Sequence, residues 1–166
     1  YTGTKNSYTL FAHIVYNLTE RLLATADLQF IRHRWNMNQE PIGHAAGHQI
    51  SADWNFVNPR FGLTYRLNER LSIFGSYGKA EKEPADDQII NADEWSFTPG
   101  GAYPERIYDA EFGLNQTGSA HSLSLNLYRI NLENEVIQTI SFEEEGYYEY
   151  SQVDETIHQG VELDAS

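Results

Sequence analysis

The stretch GHAAGH sets His44 and His48 four residues apart, with His33 and Asp53 close by in sequence. On a helical turn two such imidazoles would face the same way and offer nitrogen ligands to zinc or another divalent metal. In a polar loop the same pair is simply solvated. EPADDQIINADEW supplies Asp86, Asp87, Asp93 and Glu94 as hard oxygen donors suited to calcium, but their spacing matches no calcium loop and reads as an acidic surface. Asp109 and Glu111 alternate with apolar residues and would share one side of a strand. They show no sign of working as a paired acid and base, and no nucleophile elbow, phosphate loop or zinc-hydrolase motif is present. No catalytic role and no cofactor is assigned, and the chain is not expected to be an enzyme.

Aromatic side chains are better placed for recognition. Trp54, Trp95, Phe97, Tyr103 and the GYYEY run with Tyr147, Tyr148 and Tyr150 lie in or beside long polar segments. There their rings can stack on a ligand and their hydroxyls can orient it. The plainer role for the same rings is loop packing and rim anchoring. Glu143, Glu144 and Glu145 solvate their loop.

Composition limits the partners. Acidic residues outnumber basic ones by 24 to 11, which argues against nucleic acid or an anionic membrane surface as the partner, since both need clustered Lys and Arg. With 40% apolar and 13% aromatic residues the chain is too hydrophobic to stay disordered. No stretch approaches the roughly 20 apolar residues of a membrane helix, and no signal peptide is visible. Cysteine is absent, so neither disulfides nor thiolate metal sites are available.

These groups must be positioned by strands, because apolar residues recur at every second position nearly throughout. Seven strands are expected, at 8–18, 22–35, 53–66, 71–80, 105–115, 120–131 and 153–166. They are long against the five or six residues typical of soluble sheets. Tight turns at 18–21, 67–70 and 116–119 alternate with long polar loops at 36–52, 81–104 and 132–152. The turns start 49 residues apart, and NLTERL at the first is echoed by RLNERL at the second. In an antiparallel up-and-down meander this puts every tight turn at one end of the sheet and every long loop at the other. Outer-membrane barrels show that asymmetry.

The two parities of the strands differ in chemistry. One holds Tyr8, Leu10, Ala12, Ile14, Tyr16; Leu22, Ala24, Ala26, Leu28, Phe30; Phe61, Leu63, Tyr65; Leu71, Ile73, Gly75, Tyr77; Tyr108, Ala110, Phe112, Leu114; Leu123, Leu125, Leu127; and Val161, Leu163, with no charge among them. The other holds His13, Asp27, Gln29, Thr64, Arg66, Ser72, Ser76, Asp109, Glu111, Ser124, Asn126, His158 and Glu162, with a few exceptions such as Phe11 and Phe74. A Lys or Arg facing lipid at the midplane costs about 2–4 kcal/mol, which accounts for the uncharged parity. Arg32, Lys79 and Arg129 continue that parity only at its loop ends, where long side chains reach water. Tyr16 and Tyr65 beside the turns, with Tyr8, Tyr77 and Tyr108 toward the loops, resemble two interfacial girdles. The opposite parity would then face a lumen, with Asp27, Arg66, Asp109, Glu111 and Glu162 lining it and with Arg66 and Arg106 as candidate partners of the carboxylates. A soluble sandwich with the apolar parity as its core would explain the alternation, but not the strand lengths or the one-sided loops.

NPRFGLTYRLNERLSIFGSYGKAEKEP from Asn58, then PERIYDAEFGLN from Pro104, LNLYRINLENEVI from Leu125 and GVELDAS from Gly160, together resemble the barrel of TonB-dependent outer-membrane receptors in order and spacing. The match covers residues 58–166, while residues 1–57 fit by architecture. The resemblance implies a fold, an address and a set of partners. The fold is all-β, an antiparallel up-and-down meander forming part of a transmembrane β-barrel. Such receptors close about 22 strands around an N-terminal plug. Residues 1–166 would then be a partial barrel domain, completed by the missing plug and barrel strands of a parent chain. The implied function is active uptake of a scarce nutrient, a ferric siderophore first and cobalamin or a glycan next, in the outer membrane of a Gram-negative bacterium. Outer-membrane lipid, the TonB complex acting through the parent, and the small-molecule nutrient would be the partners, with no nucleic acid. A passive porin or adhesin barrel and a soluble all-β binding module are the alternatives.

Overall fold

A computed structural model of the chain describes residues 2–38, 40, 47, 49–84, 90–91, 96–97, 103–140 and 148–166. Alternation produces strands throughout: β1 (Thr2–Asn17), β2 (Leu22–Asn38), β3 (Gln49–Arg66), β4 (Leu71–Lys82), β5 (Ile90–Asn91), β6 (Ser96–Phe97), β7 (Glu105–Thr117), β8 (Ser122–Ile140) and β9 (Tyr148–Ala165). Seven of them form one antiparallel sheet in the order β1-β2-β3-β4-β7-β8-β9, and β5 pairs with β6 in a two-stranded ribbon. The expected seven-strand meander is present, and the sheet is open.

Register carries the facing argument from single strands to the whole sheet. One continuous row runs Ala24, Leu63, Gly75, Phe112, Leu127 and Val161, each paired with the next across five ladders. Every residue of the uncharged parity falls on this one face, because a side-chain period of two leaves no other choice once the turns set the register. No second layer covers the face among the described residues: Leu10 is 72% exposed, and Ile14, Phe61, Val161 and Leu163 are also exposed. A sandwich core would be buried, and among the described residues this face is not.

The first two turns are copies of each other, as their wording suggests. Leu18 and Thr19 both donate their N–H to the carbonyl of Leu22, at 2.9 and 3.2 Å, and Leu67 and Asn68 do the same to Leu71 at the same distances. Inside each turn one side chain accepts two further backbone bonds. Thr19 Oγ1 takes the N–H of Arg21 and Leu22, and Asn68 Oδ1 takes those of Arg70 (2.8 Å) and Leu71 (3.0 Å). The short polar side chain here replaces a backbone acceptor. Asn68→Ala should therefore lower stability by about 1 kcal/mol, read from the urea midpoint of the full-length receptor in detergent. Ser119→Ala, in the third turn, should leave that midpoint unchanged.

Four expected boundaries are corrected. The third turn lies at 118–121, not 116–119, because Thr117 pairs with Ser122 and the Gly118 N–H donates to the His121 carbonyl at 2.7 Å. The constant 49-residue interval therefore does not hold. The long loops are shorter than expected, since β2 and β3 pair out to Asn38 and Gln49 in place of a loop over 36–52, and β8 and β9 pair out to Ile140 and Tyr148 in place of one over 132–152. Part of 81–104 is the β5–β6 ribbon. Beyond the apolar band the pattern inverts on β2 and β3, where Trp35, Met37, Trp54 and Phe56 stand on the other parity, so the alternation breaks while the ladder continues.

One ladder stops early. β3 pairs with β4 only from Arg60 to Arg66, although β4 continues alongside β7 to Lys82 and β3 alongside β2 to Gln49. Pro59, with no N–H to give, stands where the two strands part. The Glu81 N–H bonds Asn58 Oδ1 at 3.0 Å across the opening.

Candidate functional site

The polar face holds the carboxylates expected there. Asp27 lies between His13 and Arg60 in register, and its carboxylate meets His13 Nδ1. A shallow hollow of about 290 Å³ between Asp27, Arg60, Thr64 and Phe74 opens onto this face. Further across, Asn58 donates to Gln29, Ser124 to Asn115, and Asn126 to Glu111 at 3.4 Å. Asp109, Glu111, Glu162 and Arg66 all share the face. Asp109 Oδ1 and Asn126 Oδ1 are buried without a hydrogen-bond partner among the described residues.

Large residues on this face sit over cross-strand glycines. Phe74, an exception to the polar parity, lies against Gly113, and Tyr128 against Gly160, their register partners. The glycine leaves room for the neighbouring ring to lie down on the sheet.

Toward the loop end the polar face turns apolar. Trp35 is 8% and Phe56 3% exposed, and Met37, Ala52 and Trp54 pack around Trp35. The chain leaving β4 folds back over this region: Glu83 pairs with Lys5 of β1 and lies 3.8 Å from His33 Nδ1 of β2, and Pro84 is buried. Trp54 is half-buried and packs against Trp35 in this cluster. Tyr103 differs. Its backbone is clamped by Gln152, which accepts the Tyr103 N–H at 3.0 Å and donates to the Tyr103 carbonyl at 2.8 Å. Asn134, at φ 57°, donates to the Pro104 carbonyl and accepts a second bond from Gln152. The clamp holds the Tyr103 backbone while the residue stays 62% exposed.

Other expected site residues fall elsewhere. His44, His48, Trp95 and Tyr147 lie outside the described residues, and the side chains of Phe97 and Tyr148 are likewise not described. His33 and Asp53 are on opposite faces of the sheet, so they cannot complete one metal site together. Arg106 was expected beside Asp109 and Glu111, but it lies on the outer face, bonded to Glu81 at 3.0 Å and Glu133 at 3.4 Å. The cause is parity, since Arg106 stands an odd number of residues from both carboxylates. Arg66 forms no ion pair with Asp109 or Glu111.

On the outer face, cross-strand polar contacts begin one or two rows beyond the apolar band. Asp53 binds Arg32 at 2.7 Å and Arg34 at 3.1 Å. Lys79, Glu81, Arg106 and Glu133 form a chain across β4, β7 and β8. Arg129 donates to Asn131, which donates to Glu155. Sequence reasoning placed Arg32, Lys79 and Arg129 at this rim but missed their partners, which are Asp53 on the neighbouring strand for Arg32 and, two residues along the same strand, Glu81 for Lys79 and Asn131 for Arg129.

The family model of TonB-dependent receptor-like β-barrels matches residues 1–166. No curated protein sequence matches the chain. Among solved structures, the copper transporter OprC aligns with a TM-score of 0.80 at 15% identity, over 98% of this chain and 26% of that one. The hemophore receptor HasR of Serratia marcescens, in complex with its hemophore HasA and heme, aligns at 0.75 and 17%, over 98% and 32%. The ferric yersiniabactin uptake receptor FyuA of Yersinia pestis aligns at 0.68 and 16%, over 98% and 24%. This chain spans about a quarter to a third of their lengths. An open sheet with one apolar outward face, tight turns gathered at one end, and this full-length family match lead to one conclusion: the chain belongs to the TonB-dependent receptor β-barrel family, proteins of the Gram-negative outer membrane.

Proposed function

We propose that the chain is part of the wall of a receptor that takes up a scarce nutrient actively, with a ferric siderophore as cargo and the TonB complex as the energy source. The observation that carries the reading is the division of the sheet into an outward apolar face and a polar face. Asp27, Arg66, Asp109, Glu111 and Glu162 then line the lumen, toward the parent's plug. Siderophore cargo is supported by neighbours described as a ferric-catecholate import receptor and an alcaligin receptor, each at 16% identity. Heme and copper neighbours make those the competing cargoes. Tyr103, held by Gln152 and exposed toward the loop end, is the first candidate for ligand contact, followed by Trp95, Phe97, Tyr147 and Tyr148.

The test is uptake by whole cells carrying the full-length receptor. Radiolabelled iron offered as siderophore chelates should accumulate only with TonB and a membrane potential. Tyr103→Ala should weaken binding about twofold to tenfold, in line with about 0.5–1.5 kcal/mol for an aromatic contact. Uptake that persists without TonB would favour a passive porin. Energy-dependent uptake of heme or copper but of no ferric chelate would overturn the cargo alone.

A further inference from the structure

We propose that Arg32 and Arg34 form an outward-facing site for the phosphate headgroup of a membrane lipid, whose acyl chains lie along Leu10, Phe30 and Val57. Depth is the first argument. Leu10, Phe30 and Val57 make the last wholly apolar row on this part of the outer face. The next row is Tyr8, Arg32 and Asn55, and the one after is Asn6, Arg34 and Asp53. Rows on one face are about 7 Å apart along a strand, or about 5 Å along the bilayer normal at a tilt of about 40°. A headgroup layer is about 5–7 Å thick, so Arg32 stands within it and the longer reach of Arg34 bends back to its outer edge.

Charge is the second argument, and it separates this group from the rest of the outer face. Lys79 and Arg106 are matched by Glu81 and Glu133, and Arg129 is linked through Asn131 to Glu155. Arg32 and Arg34 share the single carboxylate of Asp53, which leaves one positive charge uncompensated in a chain of net charge −13. Asp53 engages Arg34 through Nε only, so the terminal guanidinium nitrogens of Arg34 have no partner among the described residues. A guanidinium edge of that kind pairs with phosphate through two parallel hydrogen bonds. Exposed apolar side chains directly below give the same lipid a place for its chains: Leu10, Phe30 and Val57 are all exposed. The inference depends on which face meets lipid, not on the cargo.

The experiment titrates the purified full-length receptor, in a neutral detergent, with phosphatidic acid and separately with phosphatidylcholine, reading affinity by native mass spectrometry. Arg34→Gln should weaken phosphatidic acid binding about fivefold, the factor equivalent to about 1 kcal/mol per basic side chain at a lipid surface. Asp53→Asn should tighten it by a similar factor, because it removes the competing anion. Arg129→Gln should change nothing, and phosphatidylcholine should bind all variants alike. Opposite signs for Arg34→Gln and Asp53→Asn support the site, since a purely structural ion pair would respond to both in the same direction. An unchanged affinity for Arg34→Gln, or weakening by both variants, overturns it. Full competition by millimolar inorganic phosphate would also overturn it, by reducing the site to a generic anion contact.

Discussion

Phe112→Lys should destabilise the membrane-embedded receptor by about 2–4 kcal/mol from the charge alone, measured as the unfolding free energy in lipid vesicles. Phe112 is central to the apolar band of β7, two outward positions from Tyr108 at one end and two from Gln116 at the other. It is 55% exposed on the outward face between Gly75 and Leu127. In a soluble domain a lysine at a half-exposed position would reach water at little cost. At a lipid-facing midplane it cannot, because the nearest headgroups lie two rows away. Ser76→Lys is the matched comparison. Ser76 sits beside Glu111 on the polar face, so the new ammonium meets water and a carboxylate, and stability should stay within about 0.5 kcal/mol. If both variants cost the same, the outward face is not in lipid.

The second large effect concerns a glycine. A Cβ at Gly113 would collide with the Phe74 ring and lie 2.6 Å from the Leu125 carbonyl oxygen. The ring can rotate away, but the carbonyl belongs to the β7–β8 ladder and cannot. Gly113→Ala should therefore cost about 1–3 kcal/mol, the usual range for overpacking, seen as a lower urea midpoint. Gly75→Ala, one strand over and on the opposite face, meets nothing nearer than 3.7 Å and should be neutral or slightly stabilising. Adding Phe74→Leu should recover only part of the loss at Gly113, since it removes one of the two collisions. Full recovery would mean the backbone contact is not limiting.

The sequence by itself determined which residues form strands through the apolar band and which way each one faces. Both follow from a period-two pattern that a short window contains, and the lipid enforces it by penalising charge on one parity. The duplicated turns were legible for the same local reason, since Thr19 and Asn68 bond the backbone within three residues of themselves. Only the tertiary structure decided the partners. Arg106 went to Glu81 and Glu133, Glu83 reached across to Lys5, and Gln152 clamped Tyr103 because register brings together side chains from distant parts of the chain. No local pattern records that register. It also decided where the strands end, because beyond the apolar band the parities exchange character on β2 and β3, with Trp35, Trp54 and Phe56 turned inward, and the ladder continues without the alternation that made it visible.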